Sequence, residues 1–306
     1  MGADSKIEWT HHTFSPWWGC TKVSPGCAHC YADAFAKRVG QRVWGPDAPR
    51  RFFGDKHWAE PLRWDRAAAK AGERRRVFCA SMADVFEARD DLHEPRSRLF
   101  SLILATPHLD WLLLTKRPEN VEIIAPESWM DGFPKNVWLG TTVEDQQRAD
   151  ERIPHLLAVP AAVRFLSVEP LLGPVDLFDA FYVKDWYGDP DVPGGTRTVP
   201  TERCGLGLPM IDWVIVGGES GPGARSCEVA WIRDVVRQCR EASVPVFVKQ
   251  VGSSPRGGGD VGPDGIERCE RWSSFTRPAN AKGGDPQEWP SDLRVREFPR
   301  EEVRRG

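Results

Sequence analysis

The chain has no surplus of positive charge, no long apolar run and few tyrosines, and each shortage narrows what it can be. Its 41 Lys and Arg are outnumbered by 44 Asp and Glu, for a net charge of −3. A balance like that generates no overall basic field, so any contact with nucleic acid must come from a local patch. No stretch stays apolar long enough to cross a bilayer, so no membrane contact is expected. The first eight residues hold no apolar segment of the kind a secretory signal carries. Five of the eight cysteines, Cys79, Cys204, Cys227, Cys239 and Cys269, are scattered without a pairing pattern. No disulfide framework is expected, and a cytoplasmic setting with reduced thiols fits best. There are 3 tyrosines against 14 tryptophans, an excess assigned to core and loop packing. At 306 residues and 41% hydrophobic side chains, the chain can bury an ordinary core in one large domain or two small ones.

What is present is a concentration of thiols. Cys20, Cys27 and Cys30 lie in one turn-rich loop with the pattern Cys-x6-Cys-x2-Cys. Gly19, Pro25 and Gly26 let that loop fold tightly, and a helix-like run follows over residues 31–43, with Tyr31, Phe35 and Val39 on one face. Thiolates are soft ligands, so the cluster points to an iron–sulfur centre or to zinc. Three thiolates on a four-iron cluster leave one iron open to a small molecule. Structural zinc needs a fourth ligand, for which His12 and His29 are the candidates.

Beyond the loop a rhythm sets in. Residues 7–9 form an expected first strand. Apolar runs at 76–80, 109–114, 137–139, 163–166, 213–216 and 246–248 follow, with helical periodicity at 96–105, 145–157 and 230–242 between them. Such alternation predicts an α/β fold, a partial (β/α)6 TIM-like barrel with parallel strands. Polar clusters follow the strands and never precede them: Ser81 and Asp84, Lys116 and Arg117, Thr142 and Glu144, Glu169, Glu219, then Lys249 and Gln250. In a parallel barrel this gathers them on the carboxyl-end face as one shared site. Residues 1–251 are expected to form the barrel, interrupted by a Gly-, Pro- and Asp-rich insertion at about 177–210 that reads as a lid or substrate loop. Residues 252–306 form a C-terminal extension with a glycine-rich start at 252–265 and a short strand at 293–295. Lys116 and Arg117 are suited to an anion. The glycine-rich turn from Gly217 to Gly223, with Arg225, is suited to cradle one. Trp17, Trp18, Phe86 and Trp138 are candidate aromatic walls for a water-excluding site.

Several segments, taken together, resemble the phage-associated three-Cys-motif family. They are Ile7-Glu8-Trp9-Thr10, the loop from Gly19 through Cys27, Cys30-Tyr31-Ala32, and Leu114-Thr115-Lys116-Arg117-Pro118-Glu119-Asn120. Trp138-Leu139-Gly140, Phe165-Leu166-Ser167-Val168-Glu169-Pro170, Trp213-Val214-Ile215-Val216-Gly217-Gly218-Glu219-Ser220-Gly221 and Lys249-Gln250 complete the set. That family is similar in turn to the radical S-adenosylmethionine (SAM) superfamily. The resemblance implies a [4Fe-4S] cluster on Cys20, Cys27 and Cys30, SAM on the open iron, and a 5′-deoxyadenosyl radical that abstracts hydrogen from the substrate. It departs from the superfamily in its longer first cysteine gap and in Tyr31, which follows the third cysteine where an aromatic usually precedes it. The superfamily's Gly-Gly-Glu motif follows its second strand. Here Gly217-Gly218-Glu219 comes far later, so Ser81 and Asp84 take that position toward the SAM amino group. Thr142, Glu144 and Glu169 would address the ribose hydroxyls, and Lys116 and Arg117 the carboxylate. Lys116, Glu219 and Lys249 are the candidate catalytic side chains.

The implied function is a radical-SAM-like enzyme acting on a nucleic acid or nucleotide, in DNA base modification or repair, served by an electron donor such as flavodoxin or ferredoxin. A zinc-stabilised nucleic-acid-binding protein without radical chemistry is the alternative. A third reading is a metal-dependent hydrolase using Asp84, Glu144, Glu169 and Glu219, although the His-rich ligation common in such sites is missing.

Overall fold

Six of the expected apolar runs, and one that periodicity did not mark, become the strands of a single parallel sheet. The structure, a computed structural model, describes residues 5–178, 208–257 and 278–299. Cys204, Cys269, nearly all of the 177–210 insertion and most of the 252–265 glycine-rich segment lie outside the described residues. In chain order the elements begin with β1 (His12–Phe14), β2 (Trp17–Trp18), α1 (Tyr31–Arg38), β3 (Arg51–Phe52), α2 (Asp55–Trp58), α3 (Glu60–Ala71) and β4 (Arg75–Cys79). They continue with α4 (His93–Leu104), β5 (Leu109–Thr115), α5 (Val121–Ile124), α6 (Glu127–Met130), β6 (Val137–Thr142), α7 (Gln146–Ala158) and β7 (Val163–Val168). The last are β8 (Trp213–Gly217), β9 (Cys227–Glu228), α8 (Val229–Glu241), β10 (Val246–Gln250) and β11 (Pro255–Arg256).

The seven-stranded sheet runs β1-β4-β5-β6-β7-β8-β10, every pair parallel. It curls into a half-barrel, open between β1 and β10. Parallel neighbours need crossovers, and α3, α4, α7 and α8 supply them. The small ribbons β2–β3 and β9–β11 stand apart from the sheet.

The side-chain alternation of a strand decides what each face sees. Val77, Cys79, Leu113, Leu139, Leu166, Val214 and Val248 point outward into the core shared with the helices. Phe78, Leu112, Trp138, Phe165, Ile215 and Phe247 point inward, in a second cluster with Trp9 and Trp213. Two buried faces explain why the strands read as continuous apolar runs. The amino-end floor of the half-barrel is aromatic. The Trp213 ring lies 6.2 Å from both Trp9 and Trp138 and 5.5 Å from Phe298. Carried toward the carboxyl ends, the same inward register reaches Lys116, Thr142, Ser167, Glu169 and Lys249. That mouth is polar, while at the amino ends the same register holds Arg76, whose guanidinium lies 4.3 Å from the Phe298 ring.

Several sequence expectations need correction. Residues 7–9 form a turn, with Thr10 N–H on the Ile7 carbonyl, and the first strand is His12–Phe14. Its His12 ring stacks on Trp64 at 4.5 Å, so a residue that reads as polar is packed as core. The expected strand at 293–295 begins as a 3-10 turn, Ser291–Leu293. The chain then runs antiparallel along β10 through a Phe247–Arg296 bridge. Helix α1 stops at Arg38 rather than 43. Gly40 takes the left-handed φ of +76°, and the Gln41 N–H reaches back to the Ala36 carbonyl at 2.8 Å, a helix stop that favours glycine. Tyr31, Phe35 and Val39 do share one face, and it is exposed; Ala32, Asp33 and Ala36 are buried. Trp17, Trp18, Phe86 and Trp138 are core residues rather than walls of an open site.

Gly140 is the tightest point of the interior. A Cβ there would sit 2.4 Å from the Phe165 ring. Gly140→Ala is expected to cost about 1–3 kcal/mol from overpacking, read as a lowered urea midpoint. Gly132→Ala, with nothing within 4 Å of the added carbon, should change stability by less than about 0.5 kcal/mol.

Candidate functional site

The cysteine loop leaves β1 at the polar mouth and returns as α1. Gly19 begins it at φ +117°, where a side chain would also strike the Val43 carbonyl at 2.3 Å, so this position requires glycine. Cys20, Cys27 and Cys30 are partly exposed and free of disulfides. The Arg117 Nη1 lies 3.7 Å from the Cys20 Sγ, and the Ser24 hydroxyl lies 3.7 Å from the Cys27 Sγ. Burial pushes the Cys20 thiol up to about 12; Asp84 adds to this and Arg117 opposes it. Burial raises the Cys30 thiol as well, with Cys27 close enough to contribute.

Opposite charges tie the loop down from several directions. Glu144, on the β6–α7 connection, is fully buried. It accepts hydrogen bonds from the Ser24 hydroxyl and from the Gly26 N–H at 3.2 Å. Its other oxygen pairs with Arg152 at 2.7 Å. Burial opposes ionisation of Glu144, but Lys116, Arg152 and Ser24 outweigh it and hold the carboxyl below its ordinary value. Gly26 has to be glycine because a Cβ would meet that carboxylate at 2.8 Å. On the opposite side Glu219 accepts from the Arg225 backbone N–H at 2.8 Å, the Arg225 guanidinium at 2.5 Å and the His29 Nδ1 at 3.0 Å. Arg225 also donates to the Pro25 carbonyl at 2.9 Å. Burial would raise the Glu219 carboxyl, yet the Arg225 and His29 hydrogen bonds hold it near 2.

The start of the loop is held by a third group. Arg117 bonds Asp84 at 2.9 Å and the Thr21 carbonyl at 2.7 Å. Buried Arg50 pairs with Glu87 at 2.7 Å, and Glu87 accepts the Thr21 N–H at 3.0 Å. At the start of α1, the Tyr31 hydroxyl donates to the Ser81 carbonyl at 2.7 Å.

The expected site residues therefore separate into two groups. Asp84 accepts from the Phe86 N–H, the Thr115 hydroxyl, the Lys116 N–H and Arg117, so its lone pairs are occupied. Glu144, Glu219 and Arg117 are likewise engaged in holding the loop. The hydrolase reading of Asp84, Glu144, Glu169 and Glu219 loses its free carboxylates, since Glu169 pairs with Lys249 at 3.0 Å. The second group faces the mouth. Lys116 has no ion pair among the described residues, and its charge is felt at Cys30 and Glu144. Ser81 and Thr142 stand at the ends of the flanking strands β4 and β6, with the Ser81 hydroxyl 3.4 Å from that of Ser15, while the Glu169–Lys249 pair sits on the far strands. Arg152, Arg50 and Glu87 escaped the sequence reading. Arg152 left a trace, as an arginine within the face of α7 that buries Ala149, Ile153 and Leu156; Arg50 and Glu87 left none.

The donor set fits an iron–sulfur cluster. Three soft thiols share one loop, and burial that disfavours a bare thiolate is relieved when a metal takes the proton's place. A single zinc ion needs its ligands around one point. Among the described residues no group of three or more His, Cys, Asp or Glu side chains converges on one metal position, the three cysteines included, so the fit rests on the chemistry of the thiols and their shared loop. His12 is stacked on Trp64 away from the loop, and His29 has its Nδ1 on Glu219.

The depressed Glu219 carboxyl has a consequence in acid. A carboxyl held near 2 against an ordinary 4.5 contributes stability that is complete above about pH 4.5 and is lost as pH falls toward 2. Between pH 5 and pH 3 the urea midpoint of the metal-free chain should fall more steeply than that of Glu219→Gln. Parallel midpoints would show that the carboxylate carries no such load.

No curated protein matches the chain in sequence. Among solved structures, two mutants of spore photoproduct lyase match with a TM-score of 0.40 and 15% identity over 56% of this chain. The match spans 48% of those chains. A family model described as "Protein of unknown function (DUF5131)" matches residues 4–284, and the chain belongs to that family.

Proposed function

We propose that this protein is an iron–sulfur enzyme of the radical SAM kind, related to the phage-associated three-Cys-motif proteins. Its substrate is a nucleic acid or nucleotide, in base modification or repair. The observation that carries the reading is the clamped loop: three free thiols held by buried ion pairs over the polar carboxyl end of a parallel half-barrel. Cys20, Cys27 and Cys30 would hold a [4Fe-4S] cluster. With SAM bound, such a cluster supplies one-electron cleavage of the sulfonium and the hydrogen abstraction that follows.

The chain's own residues set the conditions for that chemistry. Lys116 projects into the mouth with no counter-ion among the described residues and binds the SAM carboxylate. The Ser81 and Thr142 hydroxyls orient the polar groups of the nucleoside. Glu169 and Lys249 hold each other at the opposite rim, where a substrate that parts them gains one donor and one acceptor. Beneath them the Trp138, Phe165 and Trp213 layer excludes water. Arg117, close to the Cys20 sulfur, favours negative charge on the metal centre and tunes its potential. The electron comes from a donor protein of the flavodoxin or ferredoxin class.

Anaerobic purification tests the reading. The protein is expected to be brown, with about four iron and four sulfide per chain, both lost in Cys30→Ala. Incubation with SAM and dithionite should release 5′-deoxyadenosine, and Lys116→Ala should raise the SAM concentration needed by at least tenfold. A colourless protein carrying one zinc would sink the proposal. So would an intact cluster that leaves SAM uncleaved.

A further inference from the structure

Apart from the Tyr31 hydroxyl on the Ser81 carbonyl, the exposed face of α1 shows no tie to the cysteine loop among the described residues. Tyr31, Phe35 and Val39 recur every four residues and are 60%, 37% and 45% exposed. A helix that served only its own core would turn such a stripe inward, and here the small Ala32 and Ala36 do that instead. The stripe continues into the β2–β3 ribbon through ring contacts. The Phe35 ring meets Trp18 edge-on at 5.8 Å, and Trp18 meets Phe53 at 5.8 Å. Guanidinium groups lie on these rings: Arg38 is 5.3 Å from Phe35, and Arg51 is 4.6 Å from Trp18 and 5.3 Å from Phe53.

The charge here runs against that of the whole chain. Residues 34–53 carry five cations and one acid, Asp47. Arg50 is neutralised by Glu87, which leaves Lys37, Arg38, Arg42 and Arg51 exposed. Asp33, at the base of the stripe, is already paired with Lys22 and Lys37. Flat rings interleaved with exposed guanidinium groups match one kind of partner, a flexible polyanion with stackable faces. The stripe also has a direction. Tyr31 follows Cys30 and is tied to Ser81 at the barrel mouth, so a strand lying on it is delivered to the thiol site.

We propose that the ridge from Tyr31 along α1 to Arg51 is a track for single-stranded nucleic acid leading into the half-barrel mouth. Bases stack on Tyr31 and Phe35 while phosphates meet Arg38, Arg42 and Arg51. The inference rests on the nucleic-acid part of the function proposed above, and names the surface that would receive that substrate.

Fluorescence anisotropy of a labelled oligothymidylate of about 12 nucleotides, with an oligouridylate of equal length beside it, tests the track on the full chain as purified. Arg38→Ala/Arg51→Ala should weaken binding about tenfold and lower the log–log salt slope by about 1.4, two phosphate contacts at about 0.7 each. Phe35→Ala should weaken binding at least about fivefold while Phe35→Trp retains it. Arg237→Ala/Arg240→Ala, on α8 at the opposite edge of the sheet, should bind as the unaltered chain does. Circular dichroism and the melting temperature establish that each variant is folded. The proposal is overturned if the unaltered chain binds neither oligonucleotide, or if the α1 and α8 variants weaken alike. It is also overturned if Phe35→Ala is silent while polyglutamate displaces the oligonucleotide at equal charge, which would make the ridge a dock for an acidic protein. Binding needs no SAM turnover, so the outcomes separate. A chain without a cluster that still binds strands retains the track and loses the radical reading; a chain that cleaves SAM but ignores strands does the reverse.

Discussion

The arrangement depends on two buried carboxylates, Glu144 and Glu219, that reach from the sheet to the cysteine loop. A short loop rich in Gly and Pro has little apolar surface with which to fix itself, so something else must decide where its sulfurs lie. Each carboxylate is ionised, largely enclosed and matched to an arginine, Arg152 in one case and Arg225 in the other. Buried pairs of this kind contribute little net stability, because desolvation consumes most of the attraction. Removing one partner, however, costs about 3–5 kcal/mol. Their effect is to make one loop position far better than any neighbouring one. Glu144 takes the middle of the loop at Ser24 and Gly26, and Glu219 with Arg225 takes Pro25 and His29.

The half-barrel supplies the other constraint. Its inward register changes from large aromatic rings at the amino ends to charged and hydroxyl side chains at the carboxyl ends. Gly140 allows the change on β6, because its missing side chain admits the Phe165 ring beneath Thr142. Above the rings, side chains that point inward no longer find apolar partners. They must meet one another, as Glu169 and Lys249 do, or face an opening, as Lys116 does. Position along a strand therefore decides whether an inward residue is packing or available for binding.

Much of this was legible in the sequence. The parallel sheet could be read because strands buried on both faces are apolar over most of their length, and the mouth could be read because a polar or charged cluster follows each of the expected strands. The first strand was not legible: His12 is buried by stacking on Trp64, a pairing between positions 52 residues apart that no local pattern carries. Nor was the division of labour at the rim. Asp84, Arg117, Glu144 and Glu219 stand at strand ends as a ligand-binding set would, and periodicity cannot distinguish a side chain that meets a substrate from one that meets its own loop. That distinction depends on partners such as Ser24, Arg152 and Thr21, which lie in other elements. The α1 stripe shows a related limit. Spacing of four identifies a face, but only the tertiary neighbours of Ala32 and Ala36 decide which face turns inward.

The rim's commitment to the loop also sharpens what remains. With Arg117 and Arg225 neutralised by carboxylates, Lys116 is left as an ammonium with no ion pair among the described residues, its charge felt at the Glu144 carboxylate and the Cys30 thiol. A lone ammonium in a concave polar site attracts one small anionic group. A polyanion needs several cations spaced along a surface, and the rim does not provide them. The exposed arginines of α1 and the β2–β3 ribbon do, and they are joined to the mouth through Tyr31. On the functions proposed above, the charge distribution would divide recognition between a small anionic cofactor inside the half-barrel and an extended anionic partner outside it. A net charge of −3 does not oppose this, because Lys37, Arg38, Arg42 and Arg51 are exposed close together along α1 and the β2–β3 ribbon.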